Sequence, residues 1–201
     1  MNVLLSSKIR FYLDLNYTFR LQTINYMKFI IESGTIDDID ELEKIYDDLN
    51  DYLSSTINYP GWKKGVYPIR EDAVAGIKNQ TLLVVRHEGT IVASIILDHH
   101  PDEAYNNVSW KMELDYKHIF ILRTFVVNPL FLKMGIGKAL IDYSIELAKK
   151  TGIQSIRLDV YENNLPANSL YEKCGFEYID TVDLGLGCYG LDKFKLYEKL
   201  I

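Results

Sequence analysis

The sequence predicts a single α+β domain built around a mixed β-sheet. Segments in which apolar residues alternate or run continuously, as in strands, are interleaved with segments in which they recur at helical spacing. The chain of 201 residues is long enough for one domain with a full hydrophobic core. No repeat, low-complexity tract or linker-like stretch divides it. We therefore expect one domain, preceded by a short extension.

The extension is predicted to be rich in β-structure. From Ile9 to Leu21 every second residue is apolar, which is the period of a half-buried strand. We expect residues 1–24 to form this extension and residues 25–201 to form the main domain. The extension would add a strand to a sheet edge, where it could also pair across a homodimer. The alternative is that Met27 is the natural start and the preceding residues have little consequence.

The first half of the main domain reads as strand, helix, helix and hairpin. A strand at 27–33 leads to Thr35, a residue suited to cap a helix. A loop with aromatic residues spans 54–67, a short helix 70–78, and a hairpin follows that turns at Glu88-Gly89. The buried stripe of the first helix is expected to contain Ile36, Ile39, Leu42, Ile45 or Tyr46, and Leu49.

The second half begins with a turn-rich loop and a strand at 118–127. A helix follows a pair of glycines and stops at Gly152, and an almost continuously apolar stretch at 153–161 predicts a central strand. Asn164 then caps a short helix that ends at Gly175. Two further strands, at 176–184 and 194–200, close the chain.

Composition limits the classes of function. The net charge of −6 argues against a nucleic-acid partner, because such surfaces need clustered Lys and Arg. No apolar run approaches the ~20 residues of a membrane-spanning helix, and the N-terminus lacks the pattern of a signal peptide, so we expect no membrane association. Cys174 and Cys188 lack metal-binding spacing, which favours reduced thiols in a cytoplasmic protein. The pair His99-His100 is expected in a solvated turn, and no metal is expected.

The segment FLKMGIGKAL, residues 131–140, places Gly135 and Gly137 before a predicted helix. Helix N-termini carry unpaired N–H groups and a positive dipole, and glycines let a phosphate approach the main chain. Lys133 and Lys138 add positive charge. The Walker pattern fails because no Ser or Thr follows the second lysine, and the dinucleotide pattern lacks its third glycine. Alone, the glycines indicate either a phosphate site or a tight structural turn.

A second motif, DVYENNLPANSLYEKCGF, occupies residues 159–176. Together the two stretches resemble the GNAT superfamily of acetyl-CoA-dependent N-acetyltransferases, over nearly the whole chain from residue 25 onward. In that family (Gln or Arg)-x-x-Gly-x-(Gly or Ala) opens a helix after a strand, and Asn-x-x-Ala-x-x-Leu-Tyr precedes Gly-Phe. The first pattern falls here on residues 132–137. The second falls on Asn164, Ala167, Leu170, Tyr171, Gly175 and Phe176.

This resemblance implies a mostly antiparallel central sheet, flanked by helices and splayed at the coenzyme A site. Main-chain amides of residues 133–138 would bind the pyrophosphate, and the end of the preceding strand would pair with the pantetheine arm. Acetyl-CoA is the implied cosubstrate. The residues implied to contact it are Phe125, Val126, Val127, Lys133, Met134, Gly135, Ile136, Gly137, Lys138, Asn164, Ala167 and Tyr171.

The implied reaction is direct transfer of the acetyl group to a primary amine of a small molecule or peptide in a ternary complex. Tyr171 would protonate the departing thiolate, and a main-chain N–H near Val127 would hold the oxyanion. Leu132 replaces the family's Gln or Arg, which predicts weaker cofactor affinity at most. Val126 stands where many members place a glutamate base, so the motif assigns no base. The candidates for that role are Glu113, His118 and Asp159.

The acceptor amine is not identified by the sequence. Loops at 54–67, 98–112 and 185–192 would border it, and their aromatic residues either shape a pocket or pack internally. These residues are Tyr59, Trp62, Tyr67, Tyr189 and Phe194. One alternative is a catalytically silent acyl-CoA-binding sensor or interaction module, in which Tyr171 is only a core tyrosine. Another is an acetyltransferase toxin acting on aminoacyl-tRNA, which the negative charge disfavours.

Overall fold

The computed structural model describes residues 29–201 and the backbone of a short strand at 11–13. The strands within these residues are β1 (Phe11–Leu13), β2 (Phe29–Ser33), β3 (Leu82–His87), β4 (Thr90–Asp98), β5 (Ile119–Val127), β6 (Ser155–Tyr161), β7 (Glu177–Val182) and β8 (Phe194–Leu200). The α-helices are α1 (Ile39–Ser55), α2 (Arg70–Lys78), α3 (Ile136–Thr151) and α4 (Leu165–Lys173). One sheet contains all the strands, in the order β1-β2-β3-β4-β5-β6-β8-β7.

Neighbouring strands run antiparallel except for the parallel pair β5 and β6. The predicted mixed, mostly antiparallel sheet is therefore confirmed. Successive side chains of a strand point to opposite faces, and in β3 both sets are apolar. Leu83 and Val85 pack in the core beneath α3 and α4, whereas Leu82 and Val84 pack beneath α1 and α2. The molecule thus has three layers, with the sheet between two helical layers.

The start of α1 differs from the sequence-based prediction. The Asp38 carboxylate accepts hydrogen bonds from the Thr35 N–H at 2.8 Å and from its hydroxyl at 3.0 Å, so Thr35 does begin the helical segment. Residues Ile36–Asp38, however, form a 3₁₀ turn ahead of the α-helix. The prediction that Ile36 belongs to the buried stripe is wrong, since its side chain is 75% exposed. The tighter winding of the turn moves it off the stripe. The other predicted members are buried.

The remaining predicted elements are confirmed within one or two residues at most boundaries. The hairpin turns at Glu88 and Gly89, whose φ angles of 49° and 85° suit a tight two-residue connection. Helix α3 ends at Gly152, which adopts a φ of 76°. Asn164 caps α4 by accepting a hydrogen bond from the Ala167 N–H. None of the helices in residues 29–201 is long and apolar enough to cross a membrane.

The sheet opens between β5 and β6. These strands pair only over residues 119–121 and 155–157, and their remaining lengths diverge. A bulge in β5 accompanies the divergence, because its register with β4 shifts between Ser94 and Ile96. Within the bulge Thr124 adopts a φ of 49°, a strained conformation for a β-branched residue. Since bulges bend a strand, this one directs the end of β5 away from β6.

The long connection between β4 and β5 covers the sheet surface that α1 and α2 leave open. Tyr105 and Trp110 pack there over Ile119 and Ile121. A buried ion pair holds the connection down, with Arg157 Nε 2.8 Å from a Glu198 carboxylate oxygen. The Arg157 guanidinium also donates to the Met112 carbonyl and stacks on the Trp110 ring, and the Lys111 N–H donates to Glu198.

The N-terminal strand β1 pairs antiparallel with β2, with Phe11 opposite Ile31. A strand therefore occupies this edge of the sheet, as expected. The rest of the alternating segment and the proposed boundary at residue 24 lie outside the described residues. Pairing across a homodimer stays a prediction.

Candidate active site

A cleft of about 680 Å³ lies where β5 and β6 diverge. Residues 122–125 of β5 and 159–161 of β6 form its inner walls, and α4 contributes Asn164, Ala167 and Tyr171. Loops at 60–67 and 184–191 lie across its outer side. These two loops touch: a Cβ added at Gly61 would fall 2.2 Å from a methyl carbon of Leu191. The splayed sheet thus produces a deep site whose outer wall comes from distant parts of the chain.

The turn before α3 presents its main chain as a set of hydrogen-bond donors. Lys133 and Gly135 adopt left-handed φ angles of 64° and 80°. Within the described chain, the N–H groups of residues 133–137 bond to no protein acceptor, and the first helical bond runs from the Ala139 N–H to the Gly135 carbonyl. Successive free donors at the positive end of a helix dipole suit an anion such as a phosphate.

The two glycines of this turn have different roles. A Cβ on Gly135 would meet nothing within 4 Å, so this glycine serves the left-handed backbone and leaves open space beside the donors. A Cβ on Gly137 would lie 3.3 Å from both Leu170 and Phe125. Gly137 therefore lies where α3 packs closely against α4 and β5. The expectation that glycines clear space for a phosphate applies to Gly135 alone.

Side chains at the turn contribute less than its main chain. Lys133 is exposed, whereas the Lys138 ammonium lies 2.5 Å from the Asp142 carboxylate, which offsets its charge. Ile136 points into the core, and Met134 is exposed. The predicted positive character of the turn thus comes mainly from Lys133 and the helix end.

The predicted cofactor residues on β5 and α4 divide into two groups. Phe125, Asn164 and Ala167 line the cleft. Val126 is buried in the core beneath α1, and Val127 packs against the core on the opposite face. These two valines therefore offer their main chain rather than their side chains to a ligand in the gap.

Tyr171 lies at the back of the cleft with only 5% of its surface exposed. Its ring packs near Phe125, Phe176 and Tyr197. No group among the described residues hydrogen-bonds to its hydroxyl. Burial, and then the charge of Asp159, raises the pKa of Tyr171 well above its usual range. The hydroxyl is therefore protonated at neutral pH and available to donate.

Comparison with known proteins identifies the family. The sequence profile of the Acetyltransferase (GNAT) family matches residues 42–176, more than half of the chain. The chain belongs to the GNAT family. The resemblance drawn from the two motifs is thereby confirmed, and the family is one of acetyltransferases, as the motifs implied.

Solved GNAT structures share the fold. A GNAT acetyltransferase from Streptococcus agalactiae 2603 aligns with a TM-score of 0.73 at 18% identity, covering 86% of this chain and 95% of that one. The yncA protein of Salmonella typhimurium, solved with its cofactor acetyl-CoA, aligns with a TM-score of 0.63 at 13% identity, covering 86% and 93%.

Two curated relatives match over shorter stretches. The UPF0157 protein YqkA of Bacillus subtilis is 35% identical over 82 residues, which are 41% of this chain and 23% of YqkA. The uncharacterized N-acetyltransferase MJ1207 of Methanocaldococcus jannaschii is 34% identical over 74 residues, or 37% of this chain and 33% of MJ1207. The chain thus spans about a quarter to a third of the length of these relatives.

Among the three candidate bases, Asp159 lines the cleft of this GNAT domain. Its carboxylate accepts a hydrogen bond from the Tyr105 hydroxyl at 2.8 Å, and burial raises the pKa of Asp159. Glu113 is exposed and His118 is half-buried, and neither contributes to the walls of the cleft. The geometry therefore separates Asp159 from the other two.

Most of the predicted aromatic residues meet at the outer part of the cleft. Trp62, Tyr67, Tyr189 and Phe194 line it, whereas Tyr59 does not. Phe194 was also assigned to a loop bordering the acceptor, which is wrong, because it is buried and begins β8. The predicted strand at 194–200 is confirmed at both ends, and the Phe194 ring packs against Tyr161 on β6.

Sequence reasoning missed three features of this GNAT cleft. The Tyr67 hydroxyl lies 2.8 Å from the Thr124 hydroxyl, which ties the outer loop to the bulge of β5. Arg123 on β5 and Asp72 on α2 also line the cleft. For Asp72 a local signal existed, since it accepts a hydrogen bond from the Ile69 N–H as a helix-capping residue. No local signal marked the other contacts.

The pair His99-His100 lies in a bend after β4, with His99 half-buried and His100 exposed. His99 Nδ1 lies 2.7 Å from the Ile119 carbonyl, and the His100 carbonyl accepts a hydrogen bond from Arg123. Within residues 29–201 no group of three or more potential metal-ligating side chains comes together. Cys174 and Cys188 are both free thiols, the first half-buried and the second exposed.

Proposed function

We propose that the protein is an acetyl-CoA-dependent N-acetyltransferase that acetylates a primary amine of a small molecule or peptide. One observation carries the proposal: the donor-rich turn at 133–137 begins a helix that packs on Phe125, and Phe125 and the Tyr171 ring both line the gap in the sheet. The turn suits the pyrophosphate of coenzyme A, and the Tyr171 hydroxyl suits its departing sulfur. A gap between diverging strands suits the extended arm between them.

The residues at the gap fit coenzyme A. The open space beside Gly135 and the free N–H groups around it would receive the pyrophosphate. The edge of β5 at residues 125–127 would pair with the amides of the pantetheine arm, because β6 has already diverged there. The structural relative yncA, which shares the fold, contains acetyl-CoA as its cofactor.

The proposed reaction is a direct transfer without an acyl-enzyme. The neutral amine forms a bond to the thioester carbonyl carbon while the carbon–sulfur bond breaks. Tyr171 gives its proton to the sulfur, and an N–H near Val127 donates to the developing oxyanion. The proton lost by the amine passes to Asp159, directly or through water. The raised pKa of the Asp159 carboxyl makes it a stronger base than an exposed aspartate.

Release of free thiol from acetyl-CoA tests this proposal. Amino acids, polyamines, aminoglycosides and peptides with free N-termini should be assayed as acceptors, with coenzyme A binding measured in parallel. Thiol release above background, with matching formation of an N-acetyl product, is the expected result. If coenzyme A binds and no acceptor accelerates thiol release, the protein is instead a silent acyl-CoA-binding module.

A further inference from the structure

We infer that the acceptor is an amine that carries a second positive charge and no carboxylate, such as a linear diamine or polyamine. This inference rests on the proposed acetyltransferase activity and assigns its substrate class.

Carboxylates dominate the lining of the cleft. Its acidic side chains outnumber the two cations, Arg123 and Lys63, and Lys63 is exposed at the outer loop. The acidic residues are Asp72, Asp98, Asp102 and Asp159. A cleft with this surplus attracts cationic molecules and repels anionic ones.

Only one of these four carboxylates is in an ion pair within the described part of the chain. Asp98 lies 3.3 Å from Arg123 Nε. Asp72 accepts a hydrogen bond from the Ile69 N–H and Asp159 one from Tyr105, so each is held in place by a neutral donor. Asp102 likewise accepts a hydrogen bond from the Ala104 N–H. Three carboxylates therefore keep their charge available to a ligand.

Arg123 is poorly placed to receive the carboxylate of an amino acid. Its guanidinium donates to the His100 carbonyl and faces Asp98. Asp72 and Asp159 line the same cleft as Arg123. A substrate carboxylate bound here would compete with these aspartates for one cation. An amino-acid acceptor is therefore disfavoured.

The unpaired carboxylates lie on different walls of the cleft. Asp159 is on β6 and lines the cleft together with Tyr171, where the reacting amine must lie. Asp72 is on α2 and lines the cleft together with Tyr67. An acceptor reaching both must extend across the cleft. The aromatic faces of Trp62 and Tyr189 along its outer part suit a methylene chain and a second cation.

A second observation also points to a ligand in this cleft. The Tyr171 side chain is 5% exposed, lines the cleft and has an unpaired hydroxyl. The hydroxyl is open to the cleft, so a ligand or water there can hydrogen-bond to it. The acidic walls and this hydroxyl share one cavity.

Three matched acceptors test the inference. 1,5-Diaminopentane has two amines, n-pentylamine lacks the second charge, and lysine adds a carboxylate to the diamine. We expect kcat/KM for the diamine to exceed that of each of the other two by about tenfold or more, as expected for a partly desolvated charge pair. Equal efficiency for the diamine and n-pentylamine, or a preference for lysine, would overturn the inference.

The variant Asp72→Asn tests whether Asp72 binds the second positive charge of the diamine, as distinct from a general disturbance of the cleft. Asparagine can still accept the hydrogen bond from Ile69, so the cap of α2 is retained. The ratio of kcat/KM for the diamine to that for n-pentylamine should fall about tenfold. Asp48→Asn, a change on the outer surface of α1, should leave this ratio as in the wild type. An unchanged ratio in Asp72→Asn contradicts the assignment.

Calorimetric titration distinguishes failure of this inference from failure of the proposed function. The wild-type protein, saturated with coenzyme A, is titrated with each of the three compounds. If no acceptor releases thiol but the diamine alone binds, the transferase is wrong and the cationic site stands. If thiol is released with other acceptors and the diamine neither binds nor reacts preferentially, the inference is wrong and the transferase stands.

Discussion

The Tyr171 hydroxyl faces the cleft without a protein partner, which makes its removal a sharp test of catalysis. In Tyr171→Phe the ring remains, so the aromatic packing with Phe125 and Phe176 is kept. Loss of a positioned proton donor should lower kcat by about 10²–10⁴. Coenzyme A affinity should change little, because the anion site lies at the turn before α3.

The control is Tyr52→Phe, since Tyr52 is an exposed tyrosine on α1 away from the cleft. Stopped-time thiol assays and coenzyme A titrations should be run on both variants. A Tyr171→Phe enzyme with wild-type kcat would remove Tyr171 from the mechanism.

Asp159 should reduce the stability of the fold while it serves the reaction. Burial raises its pKa above that of an unfolded aspartate, so the folded state holds the proton more tightly. Ionisation therefore favours unfolding, and its contribution to stability falls as the pH rises above the ordinary value near 4 and through the raised one. Asp159→Asn keeps an acceptor for Tyr105 and removes this cost.

Thermal unfolding at two pH values measures the effect. Asp159→Asn should unfold at a higher temperature than the wild type at pH 8, and the difference should shrink at pH 5. Asp48→Asn should show no such pH-dependent difference. A wild type more stable than the variant at pH 8 would mean that the charge of Asp159 stabilises the fold. The variant should also lose acetyl transfer, by about 10²–10⁴.

At the scale of the element, the N-terminal turn of α3 separates binding from packing. Gly135→Ala forces a side chain into a left-handed backbone, costing about 1–2 kcal/mol, and places a methyl in the open space beside the free N–H groups. It should weaken coenzyme A binding strongly. Gly137→Ala crowds Leu170 and Phe125 instead, so it should lower the free energy of unfolding with a smaller effect on affinity.

Urea denaturation and coenzyme A titration of the same two proteins check this contrast. For each variant, the loss of coenzyme A affinity is compared with the loss of unfolding free energy. We expect the loss of affinity to be the larger effect in Gly135→Ala and the loss of stability to be the larger effect in Gly137→Ala. If Gly137→Ala loses more affinity than Gly135→Ala at equal stability, the assignment of the two glycines is reversed.

Helices and strands were largely predictable because local chemistry marks their ends. Asn164 and Gly152 are a capping residue and a left-handed terminus, and Glu88-Gly89 is a hairpin signal. Ile36 was misassigned because nothing in the apolar spacing reveals that the first turn is a 3₁₀ turn. The bulge at Thr124 was not predictable either, because β-branched residues ordinarily avoid the positive φ that Thr124 adopts.

The cleft was only half predictable, for a different reason. The proposed cofactor side is encoded in two contiguous motifs, around Gly135 and Tyr171, which a family pattern can carry. The proposed acceptor side brings together Asp72, Arg123 and Asp159, which are on different elements and come together through the strand order. The spacing of these residues in the sequence does not predict that they lie close together. The excess of carboxylates over cations in the cleft is therefore visible only in the structure.

For the whole molecule, the buried pair Arg157 and Glu198 links the sheet to the long β4–β5 connection. Glu198 also accepts hydrogen bonds from Ser155 and the Lys111 N–H, so removal of Arg157 leaves a buried charge only partly satisfied. Arg157→Met should destabilise the fold by about 3–5 kcal/mol. The double variant Arg157→Met/Glu198→Leu should be less destabilised than Arg157→Met alone, because no unpaired charge remains.

Chemical denaturation of the wild type, the single variants Arg157→Met and Glu198→Leu, and the double variant provides the comparison. A double variant that loses the sum of the two single effects would show that the pair acts through independent contacts. Wild-type stability in Arg157→Met would show that the connection needs no anchor there.

The short pairing between β5 and β6 also has a mechanical consequence. Strands β1–β5 form one leaf of the sheet and β6, β8 and β7 form the other, and within residues 29–201 the main-chain bonds between β5 and β6 are confined to residues 118–121 and 154–157. The leaves share a core beneath α3 and diverge at the open end. A ligand bound in the gap would contact both leaves and restrict their relative motion. Amide hydrogen exchange should then slow in both leaves on binding, including strands that no ligand atom touches.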